Sequence, residues 1–296
     1  MQVVAESRGS GQQRGGQGGR DSRGSRDGER RGRDRGGRSG PPERGRGDRR
    51  GDWKGRGGDD AAARTQSQQR YDGPEIPEHV TGKELDRSIS AQLRSLPDKL
   101  ALRVARHLVA AGELIDRDPR TAYEHTLAAR ARASRLAVVR EAVGEAAYAA
   151  GEYAEALTEL RAAKRMNGAQ DYVAIIADCE RALGKPDKAL ATVRNAPRDK
   201  LAPPLLAELT IVEAGARRDR GELDAALRTL ENAPLMSKSR EPWVARLRYA
   251  YADALVEAGR TSDALTWFHR TEAVDPERAT DAGDRARQLE REEPQA

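Results

Sequence analysis

Downstream of residue 80, apolar positions recur every three or four residues. Ile89, Leu93 and Leu96 form one such stripe, and Leu100, Val104, Leu108 and Ile115 form the next. This is the spacing of one helix face, and no segment sustains period-two alternation, so the pattern predicts helices and no sheet. A longer period lies over it. Five times, a small residue is followed by another twelve positions on and a third seven beyond: Ala110/Ala122/Ala129, Gly144/Ala156/Ala163, Ala177/Ala189/Ala196, Ala214/Ala226/Ala233 and Ala252/Ala264/Thr271. The first members advance by 34, 33, 37 and 38 residues, a period typical of helical hairpins. Two antiparallel helices reach the short end of the ~8–10 Å packing range only where the facing side chains are small.

Turn chemistry agrees with this ruler. Gly151, Gly184, Gly221 and Gly259 each follow the first small residue of their repeat by seven. A glycine there can adopt the left-handed conformation that ends a first helix. Glu152, Asp187, Glu222 and Thr261 then stand where the first turn of a second helix favours acidic or capping groups. In the first repeat Arg117 replaces the glycine, and Asp118–Pro119 supplies a cap and a proline for the first helical position. Thr81 and Glu84 have capping-box spacing and predict a helix beginning there. Asn195-Ala196-Pro197 and Asn232-Ala233-Pro234 predict two second helices cut short by proline, with longer linkers after them.

These positions resemble the tetratricopeptide repeat. Tyr153 two after the turn glycine, Phe268 four after Ala264 and Pro276 closing the last repeat carry the likeness, and residues 144–157 look like a near-consensus copy. The departures are Arg106, Arg140, Val173, Thr210 and Arg248 at the early tryptophan position, and Glu213 where leucine is usual. The resemblance implies an all-α solenoid, a right-handed superhelix of antiparallel helix pairs. It comprises five hairpins over about 98–278 plus capping helices, within a region spanning 81–291. With its N-terminal tail, the chain also resembles an actinobacterial family of tetratricopeptide domains behind Arg/Gly-rich arms, from which no activity carries over.

Composition changes the picture mainly at the N-terminus. Residues 1–70 hold 18 of the 53 Lys and Arg and 10 of the 48 Asp and Glu, leaving 35 and 38 for the rest. The pI near 9.4 therefore belongs to the tail, which with almost no apolar residues is expected to be disordered over 1–74. Arg14, Arg35 and Arg56 each precede Gly-Gly, and Arg44 and Arg46 stand in Arg-Gly pairs, the composition of segments that bind single-stranded RNA weakly and without sequence preference. A solubilising polyampholyte has the same composition, and both readings stay open. One cysteine, no apolar run long enough for a bilayer and no signal-peptide pattern fit a cytoplasmic chain.

Candidate chemistry is sparse. His79, His107, His125 and His269 show no metal-ligand spacing with one another or with Cys179, and no nucleophile elbow or phosphate-binding loop occurs, so no enzyme, metal or cofactor is expected. Carrying over the family's groove positions points to His107, Glu141, Glu145, Tyr148, Asp178, Glu208, Tyr249 and Asp253. This acidic set suits a basic or Arg-rich peptide and lacks the basic clamp for a C-terminal carboxylate. Arg130, Arg132, Arg135, Arg161, Lys164 and Arg165 offer a basic ridge elsewhere, or simply cover outer helix faces. The implied role is a protein–protein interaction scaffold or adaptor. The alternatives are an RNA-associated protein that uses its tail, and a self-associating assembly subunit.

Overall fold

A computed structural model describes residues 72–292, and Arg14, Arg35, Arg44, Arg46 and Arg56 lie outside them. The described residues are all-helical: twelve α-helices, one short 3-10 turn and no strand. No helix among them is long and apolar enough to cross a membrane.

The helices fall on the ruler. The first hairpin is α2 (Asp98–Leu114) with α3 (Pro119–Ala133), and the second is α4 (Ala137–Ala149) with α5 (Tyr153–Asn167). Then come α6 (Val173–Ala182) with α7 (Pro186–Arg194), α8 (Pro203–Asp219) with α9 (Leu223–Glu231), and α10 (Pro242–Glu257) with α11 (Thr261–Glu272). A short α1 (Arg87–Leu93) precedes them and α12 (Ala282–Glu292) follows. Each helix packs mainly on the next or next-but-one helix along the chain. Thirteen of the fifteen ruler residues are buried, nearly all at 0–2 % exposure. At Gly144 even a methyl group would be too large, because a Cβ would come within 2.4 Å of the fully buried Leu160. The two half-buried members, Ala196 and Ala233, are those followed by proline. There α7 and α9 stop after nine residues, against fifteen for α3 and α5.

Backbone groups close the four glycine turns, and the acidic side chains do not. Gly151, Gly184, Gly221 and Gly259 all have φ between 70° and 79°. In each, the next residue's N–H reaches back five residues, as from Glu152 to Ala147 at 2.8 Å, while the glycine N–H reaches back three. This is the Schellman arrangement, which satisfies the last carbonyls of the first helix. Glu152 and Glu222 occupy N-cap positions without a side-chain cap bond. The expectation at Thr81 also needs correction. Thr81 N–H and Oγ1 both donate to Glu84, at 3.2 and 2.7 Å, but no helix starts there. Gly82 sits at φ 85°, outside the helical region, and α1 begins behind Asp86, whose carboxylate accepts from Ser88 N–H at 2.7 Å.

Three of the five departures at the early tryptophan position share a role that the pattern did not foretell. In α2, α4 and α10 the arginine there donates from Nε to a carbonyl of upstream chain, in α4 and α10 the segment leading directly into the helix and in α2 the segment ahead of α1. Arg106 reaches Val80 at 2.8 Å, Arg140 reaches Ser134 at 2.8 Å, and Arg248 reaches Leu235 at 2.7 Å. Arg248 also donates to the carbonyls of Ser237 and Arg270, both at 3.0 Å, so the long linker after α9 hangs on one guanidinium. Glu213 is held by Arg198 and Arg217 at 2.7 and 2.9 Å. Burial pushes its carboxyl up, but those two hydrogen bonds outweigh it and hold the group below its ordinary range.

Candidate functional site

The first helices of successive hairpins carry a row of half-buried polar side chains joined across repeats. Tyr148 on α4 donates its hydroxyl to Asp178 on α6 at 2.5 Å, and Arg181 on α6 donates to Asp178 at 2.7 Å and to Asp219 of α8 at 2.8 Å. Arg218 on α8 reaches Asp253 on α10 at 2.9 Å and also pairs with Glu257. Asp253 is met from the other side by Arg285 of α12 at 3.2 Å, and Arg246 of α10 returns to Glu208 of α8 at 2.6 Å. The cross-repeat partners lie 30 to 39 residues apart, about one repeat. The row therefore has the same period as the fold.

Close fitting keeps the row in place. Gly215 on α8 lies under the Arg181 guanidinium, where a Cβ would come within 2.5 Å of Cζ. Tyr249 packs edge-on against Phe268, ring centroids 5.5 Å apart, and its hydroxyl accepts from Arg285 at 3.3 Å. Burial and a hydrogen bond to Asp281 push the Tyr249 hydroxyl up to about 12. Burial and the neighbouring Asp178 carboxylate raise Tyr148 as well. Both tyrosines thus stay protonated, as hydrogen-bond donors.

Of the eight residues expected to line the groove, Tyr148, Asp178, Glu208, Tyr249 and Asp253 fall in this row, and Glu145 is half-buried on α4. His107 and Glu141 do not present a surface. Glu141 is 3 % exposed and accepts from Asn167 at 2.6 Å across its hairpin. His107 is 2 % exposed, its Nδ1 3.0 Å from Nδ1 of the equally buried His125. The family's position pattern marks helix faces, but burial at a given repeat depends on neighbours that the pattern does not contain. The sequence reading also missed Arg181, Arg218, Arg246 and Arg285, which pair with the expected carboxylates. Their separation of one repeat from an acidic partner was the available signal. Half of the basic ridge is paired too, since Arg130 pairs with Glu155 and Glu159, Arg132 with Asp72, and Arg161 with the buried Glu180. Cys179 is fully buried, and burial pushes its thiol up to about 12, so it is packing rather than chemistry.

The histidine pair sets a pH dependence. One ring donates its Nδ1–H to the other's lone pair, an arrangement that needs at least one neutral ring. Burial, His125 and then Arg103, Arg132 and Arg106 bring His107 down to about 4, and burial lowers His125 as well. A histidine depressed in the folded state binds its proton more readily when unfolded, so stability is present above the unfolded value near 6.5 and falls as pH drops towards 4. Urea titrations from pH 7 to pH 4 should show a falling midpoint, with a shallower fall in a His107→Leu/His125→Leu variant. Equal slopes would remove the pair from the account.

No protein-family model matches the chain, and no curated protein matches it.

Proposed function

We propose that the chain is a non-enzymatic scaffold: a tetratricopeptide-like solenoid that holds an extended segment of a protein partner along its row of first helices. The observation that carries this reading is the repeat-spaced row of tyrosines and arginine–carboxylate pairs. These groups are half-exposed, oriented by cross-repeat bonds, and so already ordered before any partner arrives. The row also narrows the partner. A purely basic peptide would have to take Asp178 and Asp253 from Arg181, Arg218 and Arg285, so a segment bringing charges of both signs fits better than an Arg-rich one.

The test is site-specific photo-crosslinking in the cells that make the protein. A benzoylphenylalanine at Tyr249, on the row, should capture discrete protein partners. The same group at the exposed Thr158 of α5 should capture none of them. Identical capture at both positions, or none at Tyr249, would sink the proposal.

A further inference from the structure

The segment before α1 runs as a strap over the first hairpin, and its chemistry is opposite to that of the surface beneath. Lys99, Arg103 and Arg106 stand at i, i+4 and i+7 on α2, one face of the helix, and Arg132 joins them from α3. The strap supplies Asp72 and Glu75. Asp72 and Glu75 with Lys99, Arg103 and Arg106 border an open cavity of about 500 Å³ that also includes the exposed Leu102 and the edge of His107. Two guanidiniums from different helices converge on a single oxygen, Oδ1 of Asp72: Arg103 at 2.8 Å, and Arg132. Glu75 and Lys99 have no ion pair among the described residues.

We infer that the Arg103–Arg132 fork is a receptor for an acidic peptide segment, and that Asp72 is its resident, displaceable occupant. This surface is separate from the polar row on the later repeats, and the inference does not depend on that reading. Three observations support it. The fork already holds a carboxylate, so its geometry suits one. The Asp72 side chain is 69 % exposed, and ion pairs at such exposure contribute only about 0–1 kcal/mol each, so a competitor need not be strong. The strap has an independent anchor further on, with Val80 fully buried and its carbonyl held by Arg106, so residues 72–75 can lift while the fold stays closed behind them. Lifting would release the Arg103 and Arg132 guanidiniums from Asp72 beside the already exposed Lys99. The strap is also the template for its competitor, with two carboxylates three residues apart.

The experiment uses the full chain and a fluorescein-labelled dodecapeptide carrying aspartate and glutamate three residues apart, followed by anisotropy. Asp72→Asn/Glu75→Gln should bind the peptide about tenfold more tightly than wild type, the equivalent of the two surface pairs removed. Asp72→Glu, which keeps the carboxylate, should stay at wild-type affinity. Arg103→Gln/Arg132→Gln placed in the strap variant should lose the gain, and any contribution from the N-terminal arginines is common to all variants. Equal affinity of the strap variant and wild type overturns the inference, as does a gain that survives loss of both arginines. An oligouridylate competing as well as the acidic peptide overturns it in favour of a general polyanion surface.

Discussion

Phe268→Ala is expected to cost about 3–5 kcal/mol, the range for truncating a buried aromatic where the surroundings cannot collapse. Phe268 is the chain's only phenylalanine and is fully buried on α11, in the cluster that joins α9, α10, α11 and α12. One face of its ring takes the edge of Tyr249, and the Arg285 guanidinium lies 5.2 Å from its centroid. The truncation therefore removes packing from the core and at the same time loosens Tyr249 and Arg285, of which Arg285 holds Asp253 from α12. For a folded region of this size the melting temperature should fall on the order of 10 °C. A Phe268→Leu control that keeps most of the volume should recover more than half of the loss. A fall of under 2 °C for the alanine variant would show that the site closes over the gap.

Why Phe268 was legible, and Arg248 was not, shows what a repeat pattern encodes. Phe268, the ruler alanines and the turn glycines act through shape: a volume, a close approach, a left-handed backbone. Shape requirements recur from hairpin to hairpin, so one chain displays the small-residue ruler five times and the turn glycine four times. The proline-shortened helices α7 and α9 were legible for the same local reason. The row on the first helices was half legible. The tyrosines and carboxylates follow the repeat position, but Arg218, Arg246 and Arg285 reach their carboxylates from a neighbouring unit and Arg181 bridges to Asp219 of the next hairpin, and a position-by-position reading does not pair residues a repeat apart. Thr81 and Glu84 misled because their spacing allows the reciprocal bonds, which do form, while Gly82 between them leaves the helical region. His107 and His125 were beyond reach, since only packing α2 on α3 beneath the strap brings two rings 18 residues apart into contact. Glu213 and Arg248 depart from the tetratricopeptide pattern, and each has linker groups among its partners: Arg198 for Glu213, and the carbonyls of Leu235 and Ser237 for Arg248.

Arg248 gives the sharpest test of that last point. Arg248 is 9 % exposed, burial and then Arg270 lower its pKa, and it pairs with no carboxylate among the described residues. A buried cation without a counter-ion is costly, so an apolar replacement could have been harmless. The geometry argues otherwise. The three N–H groups satisfy the carbonyls of Leu235, Ser237 and Arg270, so removing them orphans several acceptors at once, at about 1–3 kcal/mol for each that cannot reach water. The linker can move, and Leu235 and Ser237 can find solvent at the expense of the burial of Leu235. Arg248→Met should therefore lower stability by about 2–3 kcal/mol and, more tellingly, do so locally. Hydrogen exchange should show the amides of 235–237 losing protection while those of α4 and α5 keep theirs. Arg248→Lys should behave like the methionine variant, because one ammonium at the end of a flexible stem cannot span three carbonyls that a planar fork reaches together. If lysine restores protection, charge and not fork geometry holds the linker. If methionine leaves protection intact, the linker is held by Leu235 and the prolines, and the shared arginine contacts of α2, α4 and α10 lose their common explanation.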